Sequence, residues 1–353
     1  AAYAGGLGIE TPFGTVYAGN LTPDAETGIG AWSADHFWRA MHHGRSRDGR
    51  LLYPAFPYPE YTLVTREDSD ALYAFLRAQP AVKQANRPHA LRFPYDSQLA
   101  LAVWRALFFS PGEFRPDATQ SAEWNRGAYL VRGLGHCIAC HAPRNAFGAT
   151  FDGPELGGGL IPLQNWYAPS LAWPGEAGVQ AWSREEIVRF LRDGANVHGA
   201  AMGPMAEVVW SGTQYLATQD LSAMAAFLQD LPQHAPPAAP AARAASDVLA
   251  LGSRLYEAQC AQCHGQAGEG RAPAYPPLKG HRTVTMASSA NLVKVILHGG
   301  FPPTTAGNPR PHGMPPFGHV LKDEEIAALA SFVRGAWGHS APAVTPVDVQ
   351  RIR

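Results

Sequence analysis

The sequence is short of charge, of long apolar runs and of cysteine. Only 16% of its 353 residues are Asp, Glu, Lys or Arg, and 28 basic residues nearly cancel 29 acidic ones. So even a balance gives no electrostatic reason to expect nucleic acid or an anionic membrane surface as partner. The longest apolar stretch, Leu99 to Phe109, is broken by Arg105 and falls well short of the roughly 20 residues of a membrane-spanning helix. The first residues, AAYAGGLGIE, lack the basic start and apolar run of a signal peptide, so any targeting segment is removed or lies outside this sequence. Apolar residues, by contrast, reach 46%, enough for a sizeable core. With 36 Gly and 31 Pro, short helices separated by long loops are expected. The length predicts two or three domains.

The four cysteines fall in two pairs, Cys137-Ile-Ala-Cys140-His141 and Cys260-Ala-Gln-Cys263-His264. This is C-x-x-C-H, the pattern of c-type haem attachment, twice over. Two thiols at this spacing reach the two vinyl groups of one porphyrin, and the adjacent His is carried beneath the iron as proximal ligand. A zinc site built from C-x-x-C pairs gives no reason for a His after each. A redox dithiol or structural disulfides leave both histidines equally unexplained.

A haem that carries electrons usually has a sixth ligand, often Met, which raises its potential and leaves no open position for substrate. Gly203-Pro204-Met205 lies downstream of the first motif and Gly313-Met314-Pro315-Pro316 downstream of the second. A Pro/Gly-rich loop can hold a soft thioether at the iron, so Met205 and Met314 are the expected distal ligands. Met202 is the rival in the first case. Met224 falls on the apolar face of a helix and reads as core, and His198, His281 and His298 read as ordinary surface or core residues. Arg144, just after the first motif, is either a propionate partner or a solvated surface residue.

Helical periodicity identifies a closing helix three times: Glu67 to Gln79, Gln219 to Asp230 and Asp323 to Trp337. Each opens with acidic residues and carries Phe75, Phe227 or Phe332 at matching places. A second helix recurs as WSADHFWRAMHHG from Trp32, WSREEIVRFLRDG from Trp182 and SSANLVKVILHGG from Ser288. From its terminal glycine to the closing aromatic the distance is 31 positions for Gly44, 33 for Gly194 and 33 for Gly299. Three copies imply three related domains, yet there are two haem motifs. VYAGNLTPDAETGIGAWS from Val16 aligns without gaps on WYAPSLAWPGEAGVQAWS from Trp166, at an offset of 150. By that offset the first domain's own motif and opening helix are expected upstream of residue 1; a first domain without haem is the alternative. Where its ligand loop should be, the sequence reads Tyr53-Pro54-Ala55-Phe56-Pro57-Tyr58, so Met41, His42 and His43 are the remaining distal candidates.

The expected organisation is therefore mainly α: tandem class I cytochrome c domains with long Pro/Gly-rich loops. The first covers 1–90 and is truncated at its start. A connector spans 91–120, the second domain 121–233, a Pro/Ala linker 234–246, the third domain 247–340, and a tail 341–353. Opening helices Ser121 to Leu134 and Ala250 to Gln259 pair a glycine (Gly127, Gly252) with an aromatic (Tyr129, Tyr256). The small residue is expected to allow a close crossing with the closing helix.

Taken whole, the sequence resembles the three-haem cytochrome c subunit of bacterial membrane-associated dehydrogenases. TPFGTVYAGNLTPDAETGIG, RDGRLLYPAFPY, SAEWNRGAYLVRGLGHCIACHAPRN, GPMAEVV and HGMPPFGHVL carry the resemblance. It implies an electron-transfer subunit, with no substrate-converting site of its own, on the periplasmic face of the inner membrane. Haem c is implied at Cys137/Cys140 with His141 and Met205, and at Cys260/Cys263 with His264 and Met314, a third haem being left open. The implied partners are a dehydrogenase catalytic subunit, in some family members with a small iron-sulfur subunit, and quinone, a terminal oxidase or another cytochrome as acceptor. Phe56 in YPAFPY, where the alcohol and gluconate types tend to have Met, favours the molybdenum hydroxylase group, which oxidises aldehydes or N-heterocycles. Quinoprotein or flavin alcohol and sugar dehydrogenases are the alternative partners. A dihaem peroxidase-like enzyme is the alternative of another class.

Overall fold

A computed structural model describes residues 1–150, 153–235, 242–272 and 274–353, so much of the expected 234–246 linker lies outside the described residues. The protein is mainly helical, with 40% helix and 9% strand, and divides into two compact units, residues 1–152 and 153–353. The division falls inside the stretch 121–233.

The first unit begins with an antiparallel hairpin, β1 (Gly8–Thr11) and β2 (Gly14–Tyr17), to which β3 (Ala90–Leu91) adds along β2. Helix α1 (Ala34–His43) starts at Ser33, whose hydroxyl accepts from the His36 N–H, and stops at Gly44 in the left-handed region at φ 55°. Short α2 (Tyr58–Tyr61) leads into α3 (Arg66–Arg77), capped by Thr65. Ile29, Phe37, Met41, Val64 and Leu76 form the core between these helices. The apolar stretch of the expected connector forms α4 (Gln98–Phe108), and α5 (Ala122–Tyr129) runs on as a π-helical turn over Leu130–Leu134.

The second unit repeats the opening of the first. Its hairpin pairs β4 (Gly159–Ile161) with β5 (Trp166–Ala168), in which Trp166 and Tyr167 align with Val16 and Tyr17 of β2 at the offset of 150. Helix α6 (Arg184–Asp193) has a capping box between Ser183 and Glu186 and ends at Gly194, φ 73°. The two-residue strands β6 (Ala195–Asn196) and β7 (Gly199–Ala200) lead to α7 (Pro204–Ser211) and α8 (Thr218–Gln229). In both repeats the closing helix is tethered to the matching tryptophan carbonyl, though from different positions: the Tyr73 hydroxyl donates to Trp32 at 2.5 Å, and Gln229 Nε2 to Trp182 at 2.7 Å.

The rest of this unit comprises α9 (Ser246–Gln259), α10 (Ala261–His264), α11 (Arg282–Thr285), α12 (Ala290–His298), α13 (Asp323–Gly335) and α14 (Pro346–Ile352). The stretch read as a tail thus contains a docked helix, with Val349 fully buried in the core. Arg334 of α13, also fully buried, donates to the carbonyls of Pro342, Val284 and Ala287 at 2.8, 3.0 and 3.1 Å. Ser331 exchanges hydrogen bonds with the backbone of Val344.

Candidate functional site

Helices α9 and α13 cross closely at Gly252. A Cβ there would lie 2.2 Å from the Ala328 carbonyl oxygen and 2.7 Å from Cβ of Phe332, so only glycine fits. One turn further on, Tyr256 lies against Phe332, ring centroids 5.6 Å apart, and its hydroxyl donates to the Gly265 carbonyl at 2.6 Å. The residues between Tyr256 and Gly265 are the second C-x-x-C-H motif. Sequence spacing anticipated the glycine–aromatic pair; the reach of the tyrosine to the far side of the motif had no sequence signal.

Both thiols of this motif are free, and burial beside Cys263 pushes the Cys260 thiol up to about 12. His264 Nδ1 lies 2.9 Å from the Pro276 carbonyl oxygen. A carbonyl only accepts, so Nδ1 carries the proton and the Nε2 lone pair is left for a metal. Met314 pairs with Gly300 through reciprocal backbone hydrogen bonds of 2.9 and 3.0 Å, and its side chain packs on the core that contains Tyr256 and Leu329. Two thiols at C-x-x-C spacing, a histidine with its outer nitrogen fixed and a thioether on one core fit haem c.

The first motif sits in the first unit on a different support. Cys137–Ala139 form a 3₁₀ turn entered through His136 at φ 36°. Burial pushes the Cys137 thiol up to about 12, and raises that of Cys140 against the opposing charge of Arg144. The Arg144 guanidinium donates to the carbonyls of Gly148, at 2.6 Å, and Ala139. It therefore ties the loop after the motif back onto the motif, a role neither reading of Arg144 included. Tyr129 of α5 donates to Asp68 Oδ2 at 2.5 Å and accepts from the Thr65 N–H at 3.2 Å, joining the segment before the motif to the start of α3. Glu60, buried on α2, is pushed up to about 7 by burial, with Arg144 opposing.

Of the expected methionines, Met205 is half-buried in the first turn of α7 and belongs to the second unit, whereas His141 belongs to the first. Their pairing rests on the sequence repeat. Met41 is part of the first unit's core, as Met224 is buried in α8. His42 is buried and stacked on Trp38 at 4.5 Å, with His43 edge-on to it. Phe56 packs against Tyr61.

A helical protein with a helix-crossed C-x-x-C-H site and a Met loop on the same core is a class I c-type cytochrome. The cytochrome c family profile matches residues 249–337, the stretch that spans the second motif, Met314 and α13. The chain is 38% identical to the cytochrome c subunit of quinone-dependent alcohol dehydrogenase from Gluconacetobacter polyoxogenes, over 100% of this chain and 79% of that protein. It is 37% identical to the gluconate 2-dehydrogenase cytochrome c subunit of Pantoea cypripedii, over 99% of this chain and 84% of that one. With a nicotinate dehydrogenase subunit of Pseudomonas putida the identity is 42%, over 97% of this chain and 29% of that protein. The chain belongs to the family of cytochrome c subunits of bacterial dehydrogenases, and its cofactor is haem c.

Proposed function

We propose that this chain relays electrons from the catalytic subunit of a dehydrogenase to quinone or a terminal oxidase, on the periplasmic face of the inner membrane. Bound haem supplies a one-electron couple. What the protein adds is ligation, orientation and exclusion of water. Cys137, Cys140, His141 and Met205 would hold one haem, and Cys260, Cys263, His264 and Met314 another. The observation that carries this reading is His264, whose Nδ1–H is committed to Pro276 so that the ring presents Nε2 from a fixed orientation. Among the described residues no helix is long and apolar enough to cross a membrane.

For the catalytic partner we favour a molybdenum hydroxylase that oxidises an aldehyde or an N-heterocycle. Phe56 in the YPAFPY loop supports this, as does the 42% identity to a nicotinate dehydrogenase subunit. The near-complete alignments with alcohol and gluconate dehydrogenase cytochrome subunits favour a quinoprotein or flavin partner instead. Purifying the complex and identifying the cofactor of its large subunit decides between them.

Met205→Leu and Met314→Leu are each expected to lower the potential of one haem and leave it covalently attached. A redox titration unchanged by either substitution overturns that ligand. Substantial five-coordinate, high-spin haem in the unmodified protein would instead favour a peroxidase-like enzyme.

A further inference from the structure

The loop that ends at Met314 has a narrow neck and a distant anchor. At the neck, Gly299 has φ 62°, and a Cβ there would lie 2.3 Å from the Met314 carbonyl oxygen. Beside it, a Cβ on Gly300 would lie 3.0 Å from Met202 Cε. The excursion between Gly300 and Met314 touches its own repeat where His312 lies edge-on to Tyr275, and its tip goes further. It reaches the C-terminal end of α6, in the preceding repeat. There the buried Thr305 hydroxyl donates to the Asp193 carbonyl at 3.0 Å. Pro303 fills the space over Gly194, where a Cβ would meet its ring at 2.1 Å, and Gly307 lies so close to the Asp193 side chain that a Cβ would sit 2.2 Å from its carboxyl carbon. Thr305 and Asn308 close the tip with reciprocal backbone hydrogen bonds of 3.2 and 3.1 Å.

We infer that Thr305 is a positioning residue for Met314, and that the end of α6 serves as the fixed point against which this loop holds its thioether. The inference rests on Met314 as ligand, as set out above. A loop rich in Gly and Pro lacks the regular hydrogen bonds that fix a helix or strand; besides the packing of Met314 on the core, this one is held at two points, by the Gly300–Met314 pair and by Thr305 on α6. The same α6 terminus leads through β6 and β7 to Met205. The two ligand loops therefore share one support, and a change at Asp193 or Thr305 is expected to be felt at the haem of Cys260 and Cys263.

The test uses the full chain with its haems attached. Thr305→Val removes the hydroxyl and keeps the shape. It is expected to leave haem content unchanged, lower the potential of one haem, and tighten binding of imidazole to that ferric haem about fivefold, the equivalent of one buried hydrogen bond. Thr305→Ser is expected to restore both values, and Gly299→Ala, acting at the neck, to reproduce the Thr305→Val signature. In a Met314→Leu background Thr305→Val is expected to add nothing. If Met314→Leu shifts the potential but Thr305→Val and Gly299→Ala do not, the positioning role fails and the ligand stands. If Thr305→Val acts equally in both backgrounds, its role is general packing and the inference is overturned. If Met314→Leu itself is silent, the ligand assignment fails and takes the positioning role with it.

Discussion

The two C-x-x-C-H motifs offer the same atoms on different supports. The second lies between α9 and α13, closed behind by the Tyr256 hydroxyl, with its histidine held by a backbone carbonyl and its methionine on the same core. The first follows a π-helical turn, is tied by Arg144 to its own downstream loop, and is joined through Tyr129 to the start of α3. Covalent attachment asks only for the local spacing of two thiols and a histidine. Ligation, burial and potential depend on what packs around them, and there the two sites part.

The largest way to break the comparison is to remove a thiol. Cys260→Ser is expected to abolish or weaken attachment of one haem and leave the other, read by mass spectrometry; loss of both would mean the sites do not mature independently. A second test separates the sites by pH. The Glu60 carboxyl is raised from an ordinary 4.5 to about 7, so the folded state favours its neutral form. That stability is fully present below pH 4.5 and is lost as pH rises through about 7, by up to about 3 kcal/mol. Glu60→Gln is expected to flatten this dependence in denaturation monitored in the first unit, with no effect on the second. An unchanged slope refutes it. Smaller still, Gly252→Ala forces α9 and α13 apart and is expected to cost the second unit about 1–3 kcal/mol, seen as a lower denaturation midpoint. An unchanged midpoint would mean the crossing can slide.

The helices that recur were legible because each carried several agreeing signals, whereas α14 (Pro346–Ile352) lay in a stretch read as a tail. Ser33 and Ser183 cap helices that end at Gly44 and Gly194, and these recur at a fixed offset along the chain. Gly252 with Tyr256 foretold the crossing. The hairpins β1–β2 and β4–β5 were not anticipated, because strands of three or four residues leave too short an alternation to read. Phe75 shows the limit of the repeat: it matches Phe227 in sequence, yet it is 51% exposed where Phe227 is 1%. Pro276, whose contribution is a carbonyl oxygen, and Thr305, whose partner is far away in sequence, are invisible to any motif.

Arg334 has a consequence for how the second unit moves. Burial pulls its pKa down to about 10, and its guanidinium is held by carbonyls from the end of α11, the turn after it and the segment leading to α14. Lifting that last segment alone would strip Pro342 from the guanidinium and Val344 from Ser331, leaving donors stranded in an apolar interior. Small fluctuations that unzip the C-terminus residue by residue are therefore suppressed. The closing helix and the C-terminal segment open as one cooperative piece, and the amides of α13 and α14 are expected to exchange with solvent at similar, slow rates.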